Sequence, residues 1–269
     1  MNIRLIAIFM MVGFFLSSPG DSCPSPDSTD SDAQLGYRVF FDDFSGALKG
    51  KWVLSLPQSP RINIYRGNPA PSVDISGDGT RNIGLLSKRS FSLAPGTIIR
   101  CDMYISPGNE KAWIGGSFGL PRNPSVFKKG EWPDWLVGMS YNYIGKLEWT
   151  KGPFHEEGTL ICYLIDEDGK LEINRVPYTN RYLDGWHTFE IMIGASGFVE
   201  FRIDRELIYY SRKRFSSTQT HLPLLLGHRS GSQGKVYHDN VEVFTYRKNL
   251  APPPAGLTLK NKDVKKRRR

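Results

Sequence analysis

The run GWHTFEIMIGASGFVEFRIDRELIYYS, residues 185–211, decides the fold. Phe189, Ile191 and Ile193 alternate with Thr188, Glu190 and Met192, and Val199, Phe201 and Ile203 alternate with Glu200 and Arg202. A period of two sends successive side chains to opposite faces of a strand, so each half is a strand with one apolar face. The joint GASG (194–197) supplies small residues and glycines for a tight hairpin turn.

The same pattern extends outward. In GTIIRCDMYIS (96–106), Ile99, Cys101, Met103 and Ile105 share one face, and Arg100, Asp102 and Tyr104 share the other. One dry and one wetter face is what a two-sheet sandwich requires. Further runs rich in Val, Ile, Tyr, Phe and Trp read as strands at 37–44, 61–65, 112–120, 135–144, 159–165, 206–212, 222–228 and 235–246. Asp168-Gly169, within DEDGK, suits the positive φ angles of a hairpin turn. Outside the N-terminal segment no stretch of a dozen residues has a helical period, so the expected class is all-β, a two-sheet antiparallel sandwich.

The ends differ from this body. Asn2, Ile3 and Arg4 precede the apolar run LIAIFMMVGFFL (5–16) and then SSPG, the layout of a secretory signal and too short for a stable membrane span. Cleavage after Gly20 or after Ser22 fits, giving a signal over 1–22 and a polar linker over 23–36. The second choice leaves Cys23 first, followed by PSPDSTDSDAQ, similar to a lipidated bacterial lipoprotein. Gly20, Asp21 and Ser22 depart from the usual residues before such a cysteine, so simple secretion stands beside lipid attachment through Cys23. Cys101 and Cys162 fit either a disulfide of an oxidising compartment or two buried thiols.

The formal charge of +8 is unevenly placed. Residues 248–269, with three consecutive prolines and a KKRRR end, carry +7, and residues 1–34 carry −3, leaving the body at +4. That excludes a dedicated polyanion-binding body, and no specific nucleic-acid partner is expected. The tail reads as disordered, with either an anionic partner or only solvent.

With FFDDFSG (40–46), the hairpin of 185–211 and the closing VYHDNVEVF (236–244) in this order, the chain resembles the concanavalin A-like lectin/glucanase superfamily, with glycoside hydrolase family 16 and laminin G-like domains as comparisons. The resemblance implies a jelly-roll sandwich over 37–247. It also implies a structural calcium held by Asp239, with backbone carbonyls near Asp43 and at Gly77 or Gly79. A hydrogen-bonded Asp239 without metal is the other reading.

The hydrolases of that family carry E-x-D-x-(x)-E on one strand, which places two carboxylates on one face at the separation retention needs. The corresponding strand here, DWLVGMSYNY (134–143), has one acid, Asp134, followed in its register by Leu136 and Gly138. Glu131 precedes Pro133, Glu156 and Glu157 alternate in direction, and Glu148 stands alone. No catalytic pair is expected. What remains is an aromatic set, Trp113, Trp132, Trp135, Tyr141, Tyr143 and Trp149, whose rings would stack on sugar C–H faces while Asp134, Asn142 and Arg122 bond hydroxyls. By alternation Trp135, Tyr141 and Tyr143 share a face opposite Asn142, and Trp52 and Trp186 read as core. The expectation is a non-catalytic carbohydrate-binding module taking a glycan or polysaccharide. A divergent glycoside hydrolase or lyase and a laminin G-like interaction module are the alternatives.

Overall fold

Residues 98–106 show how the sequence becomes a sandwich. In the computed structural model Ile99, Cys101, Met103 and Ile105 are each at most 1% exposed, while Arg100 and Tyr104 on the opposite face are half-buried. The structure describes residues 36–54, 60–75, 83–106, 113–127, 134–144, 157–177, 179–216, 221–228 and 235–245.

Fifteen strands are formed among the described residues. In chain order they are β1 (Tyr37–Asp42), β2 (Trp52–Leu54), β3 (Arg61–Asn63), β4 (Ser72–Asp74), β5 (Ile83–Ser92), β6 (Ile98–Ser106), β7 (Trp113–Pro121) and β8 (Trp135–Ile144). There follow β9 (Glu157–Ile165), β10 (Leu171–Val176), β11 (Trp186–Ile193), β12 (Val199–Ile203), β13 (Glu206–Tyr210), β14 (His221–His228) and β15 (Lys235–Thr245). The helical pieces are single turns, α1 (Leu48–Lys51), α2 (Pro124–Phe127) and a 3-10 turn over Asn180–Tyr182.

Eight strands make one sheet, in the order β13-β12-β11-β6-β15-β4-β3 with β1 also on β15. Seven make the other, β10-β9-β8-β7-β14-β5-β2. Every pairing is antiparallel. Sequence neighbours β6 and β7 lie in different sheets, and β1 closes onto the last strand, as a jelly roll demands. The hairpin predicted at 194–197 joins β11 to β12, with Gly197 at φ 86°. Gly169, at φ 75°, turns β9 into β10 as expected.

The core fills the space between the sheets. Cross-strand rows Leu85–Leu226–Phe118–Met139–Cys162 from one sheet and Phe201–Ile191–Ile99–Val243 from the other are each at most 2% exposed. Burying such a side chain stabilises the fold by roughly 1.5–3 kcal/mol, so these rows drive assembly. Trp52, read as core, is 1% exposed and donates Nε1–H to Asp42. Cys101 and Cys162 are free buried thiols on opposite sheets, which decides their alternative. Burial pushes both thiols well above their ordinary range.

Four strands lie outside the runs read from sequence. β2 and β4 span three residues each, too short for a periodic signal. β5 opens with five buried positions and then exposes Lys88, Arg89 and Ser90, hiding its pattern. β10 is an edge strand whose apolar Leu171 and Ile173 face outward.

Candidate functional site

The face of the seven-stranded sheet turned away from the core is built from small residues. One cross-strand row runs Val53–Leu86–Leu225–Gly119–Gly138–Tyr163–Ile173. The next runs Gly84–Gly227–Ser117–Ser140–Ile161–Arg175, and a third places Gly115, Asn142 and Thr159 side by side. The centre of the face therefore holds glycine, serine and asparagine where a solvated sheet would carry long polar chains. Glycine at these positions admits close approach of another group to the backbone.

Apolar bulk is concentrated beside this lane. Trp135, Tyr163, Ile161, Leu86 and Leu225 form a second buried cluster, separate from the inter-sheet core. Trp135 stacks on Tyr163 with centroids 6.2 Å apart and lies over Gly138, where an added Cβ would meet the indole at 2.6 Å. At the β5–β2 end a groove of about 390 Å³ opens between Val53, Leu86, Lys88, Ser90, Ser125 and Pro223.

Trp135 reaches this face through a bulge. Leu120 pairs with Val137 but Pro121 pairs with Trp135, so one extra residue is inserted in β8. Pro121 has no N–H to give the ladder, which fits a break there. The alternation read from sequence is corrected: Trp135 shares its face with Asn142, and Tyr141 and Tyr143 point to the core. Tyr141 is wholly buried, donates its O–H to the Thr179 carbonyl and packs on Phe189 of the other sheet at 5.5 Å. Burial raises its phenol far above the ordinary value.

The other expected site residues fall as follows. Asp134 sits at the rim, its carboxylate 42% exposed and paired with Arg122, whose backbone N–H also donates to the Asp134 carbonyl at 2.6 Å. Trp113 is placed by its backbone alone, opposite Ile144 in the row beyond Asn142. Trp132, Trp149 and Glu131 lie outside the described residues, as do Cys23, Gly77 and Gly79. Sequence reading missed Tyr163, Thr159 and the lane itself; its signal was the density of glycines inside strand-like runs.

Polar chemistry on the face is unfinished. Ser117 donates to the Gly227 carbonyl at 3.2 Å and Asn142 donates Nδ2–H to Ser140 at 3.0 Å. Asn142 Oδ1 and Thr159 Oγ1 are buried without a hydrogen-bond partner. Such groups carry a desolvation cost of about 1–3 kcal/mol each until a partner is supplied. The ten residues of β8 contain no Asp or Glu.

Asp239 does not present a cation cage among the described residues. Its Oδ2 accepts the Asn68 N–H at 2.6 Å and its Oδ1 the Asn240 N–H at 2.8 Å. Calcium requires six to eight oxygens, and here the nearest partners are N–H donors. Asp43 turns its carboxylate to the N–H and hydroxyl of Ser45, which lowers its pKa. Among the described residues no three His, Cys, Asp or Glu side chains form a metal-binding group. Among the described residues Asp239 is a hydrogen-bonded carboxyl, and the Gly77 and Gly79 carbonyls of the calcium reading lie outside them.

These sheets and their order define a concanavalin A-like jelly-roll sandwich. No family model and no curated protein sequence matches the chain. Solved structures do match in fold. LamA of Zobellia galactanivorans, in complex with laminaritriose and laminaritetraose, is 13% identical with a TM-score of 0.50, covering 78% of this chain and 100% of that one. A glycoside hydrolase family 16 endo-glucanase from Bacteroides ovatus is 12% identical with a TM-score of 0.51, covering 76% and 99%. The globular domain of T. cruzi calreticulin is 10% identical with a TM-score of 0.54, covering 77% and 87%. At these identities the likeness establishes the fold and nothing finer.

Proposed function

We propose that this is an exported, non-catalytic carbohydrate-binding module whose glycan lies on the outer face of the seven-stranded sheet. One observation carries the reading: a lane of Gly, Ser and Asn beside the Trp135–Tyr163 wall, with Asn142 Oδ1 and Thr159 Oγ1 lacking partners. Sugar hydroxyls donate to such oxygens, and sugar C–H faces pack on aromatic rings. Of the similar structures named above, one is an endo-glucanase and another holds laminaritriose and laminaritetraose, which supports a glucan-like ligand.

Export rests on the signal-like start and Cys23, whose lipidation would add a membrane attachment. Replacement of Cys23 by Ser should then release the protein from the membrane fraction.

A divergent glycoside hydrolase is the second reading, favoured by those same structures. Against it stands a β8 without carboxylates. A glycan array with wild type, Asn142→Ala and Trp132→Ala tests binding, and reducing-sugar release from a β-glucan panel tests hydrolysis. Binding that weakens about tenfold in Asn142→Ala, with no sugar released, is the expected result. Release abolished by Glu131→Gln or Asp134→Asn would establish the hydrolase instead. A wild type that neither binds nor cleaves any glycan would leave the laminin G-like interaction role.

A further inference from the structure

The opposite surface of the sandwich, the outer face of the eight-stranded sheet, also has the architecture of a ligand site. Three rows of side chains cross it. The first is aromatic: Trp186, Tyr104 and Tyr237 are cross-strand neighbours on β11, β6 and β15, with ring centroids 5.8 Å and 6.0 Å apart. Trp186, expected in the core, is instead half-buried on this surface. The Arg66 guanidinium rests on the other two rings, 4.7 Å from Tyr104 and 5.1 Å from Tyr237.

Two residues further along the strands lies a row of hydroxyl, carboxyl and amide groups. Thr188 donates its O–H to Asp102 at 2.7 Å, and Asp102 also accepts from Asn240 Nδ2 at 2.9 Å and from Asn68 Nδ2 at 3.1 Å. The third row is ionic. Arg100 bonds Glu190 at 2.7 Å and Glu242 at 3.4 Å, and Arg38 bonds Glu242 at 2.9 Å. A groove of about 580 Å³ runs over the second and third rows, within the usual range for small-ligand sites.

The composition of the groove selects the ligand class. Its charged lining is three arginines (Arg38, Arg100, Arg205) against four acids (Asp102, Glu190, Asp204, Glu242), so neither a polyanion nor a cation finds an unbalanced field. Arg38, Arg100, Glu190 and Glu242 are already paired with one another. Asp102 accepts from Thr188, Asn240 and Asn68, and Asp204 accepts from the Thr188 N–H beside His187, so a ligand gains by adding hydrogen bonds to these groups. A hydroxyl both donates and accepts, and a pyranose presents several at fixed spacing beside an apolar C–H face. The aromatic row supplies the surface that face needs.

We propose that the outer face of the eight-stranded sheet is a second saccharide site, taking a neutral oligosaccharide with its hydroxyls in the Arg100–Glu190–Glu242 groove and one ring on Trp186. The inference uses no residue of the site on the other sheet.

Hydrogen–deuterium exchange of the full chain, with laminaritetraose, cellotetraose and maltotetraose each at millimolar concentration, tests it. The expected footprint is slowed exchange in 98–106, 186–193 and 235–245 with at least one probe. Trp186→Ala should weaken that binding about tenfold, the loss of one ring-stacking contact. No protection of these strands by any probe overturns the proposal, and so does an unchanged affinity in a folded Trp186→Ala. Should that variant fail to fold, the wild-type footprint decides alone. Protection or its absence in β7–β9 reports separately on the first site.

Discussion

Asp239 makes stability depend on pH in the direction opposite to most carboxyls. It is fully buried, and burial is the largest influence on it, opposed by the N–H groups of Asn68 and Asn240 and reinforced by the charges of Asp102 and Asp43. The result is a pKa raised from 3.8 to about 6. In the unfolded chain the group ionises near 3.9, so the folded state binds the proton more tightly. Its stabilising contribution is therefore full below about pH 4 and is lost as pH rises through about 6. Taking folded and unfolded values of about 6 and 3.9, the loss between pH 4.5 and pH 7.5 is about 2 kcal/mol.

Urea unfolding of wild type and Asp239→Asn at those two pH values isolates the group. The amide replaces one acceptor by an NH₂ facing an N–H, a cost of about 1–3 kcal/mol that does not vary with pH. The difference between the two proteins should shift by about 2 kcal/mol in favour of the variant as pH rises. Parallel pH profiles, agreeing within about 0.5 kcal/mol, would refute the account of this carboxyl.

Calcium and chelator should each leave the wild-type melting temperature unchanged at neutral pH, and a clear rise with calcium would restore a cation to Asp239. Gly138→Ala brings a Cβ to 2.6 Å from the Trp135 ring; overpacking of this kind costs about 1–3 kcal/mol by chemical denaturation and should shift Trp135 fluorescence. Gly119→Ala should cost more, because φ is 148° and the new Cβ would stand 2.4 Å from the Val137 carbonyl oxygen. In a Cys23→Ser background no thiol should react with a maleimide in native buffer and two should react in urea, since Cys101 and Cys162 are buried and unbridged; one or none in urea under non-reducing conditions would contradict the structure.

Much of the sandwich could be read from residues alone, because burial on one face imposes a period of two. Ile99, Cys101, Met103 and Ile105 were expected to face inward and do so. The glycine turns at Gly169 and Gly197 fall where local chemistry placed them. The candidate site was less legible, and a single bulge explains much of that. Between Trp135 and Val137 the alternation slips by one, so Trp135 joins the face of Asn142 while Tyr141 and Tyr143 stay opposite it, as expected. Nothing in the residues 134–136 announces the slip, which falls opposite Pro121 of the neighbouring strand. Trp186 is a different case: its place in phase with Thr188 and Glu190 puts it on the wetter face, whereas its apolar ring taken alone suggests core.

The pairing of β1 with β15 also has a mechanical side. Tyr37 stands opposite Thr245, so the chain enters and leaves the sandwich as immediate cross-strand neighbours. A pull between the flanking segments loads that ladder crosswise and opens its hydrogen bonds one after another, the compliant zipper geometry, where a lengthwise pull would have to break them together. Strung between both flanks, the module would peel from its first strand.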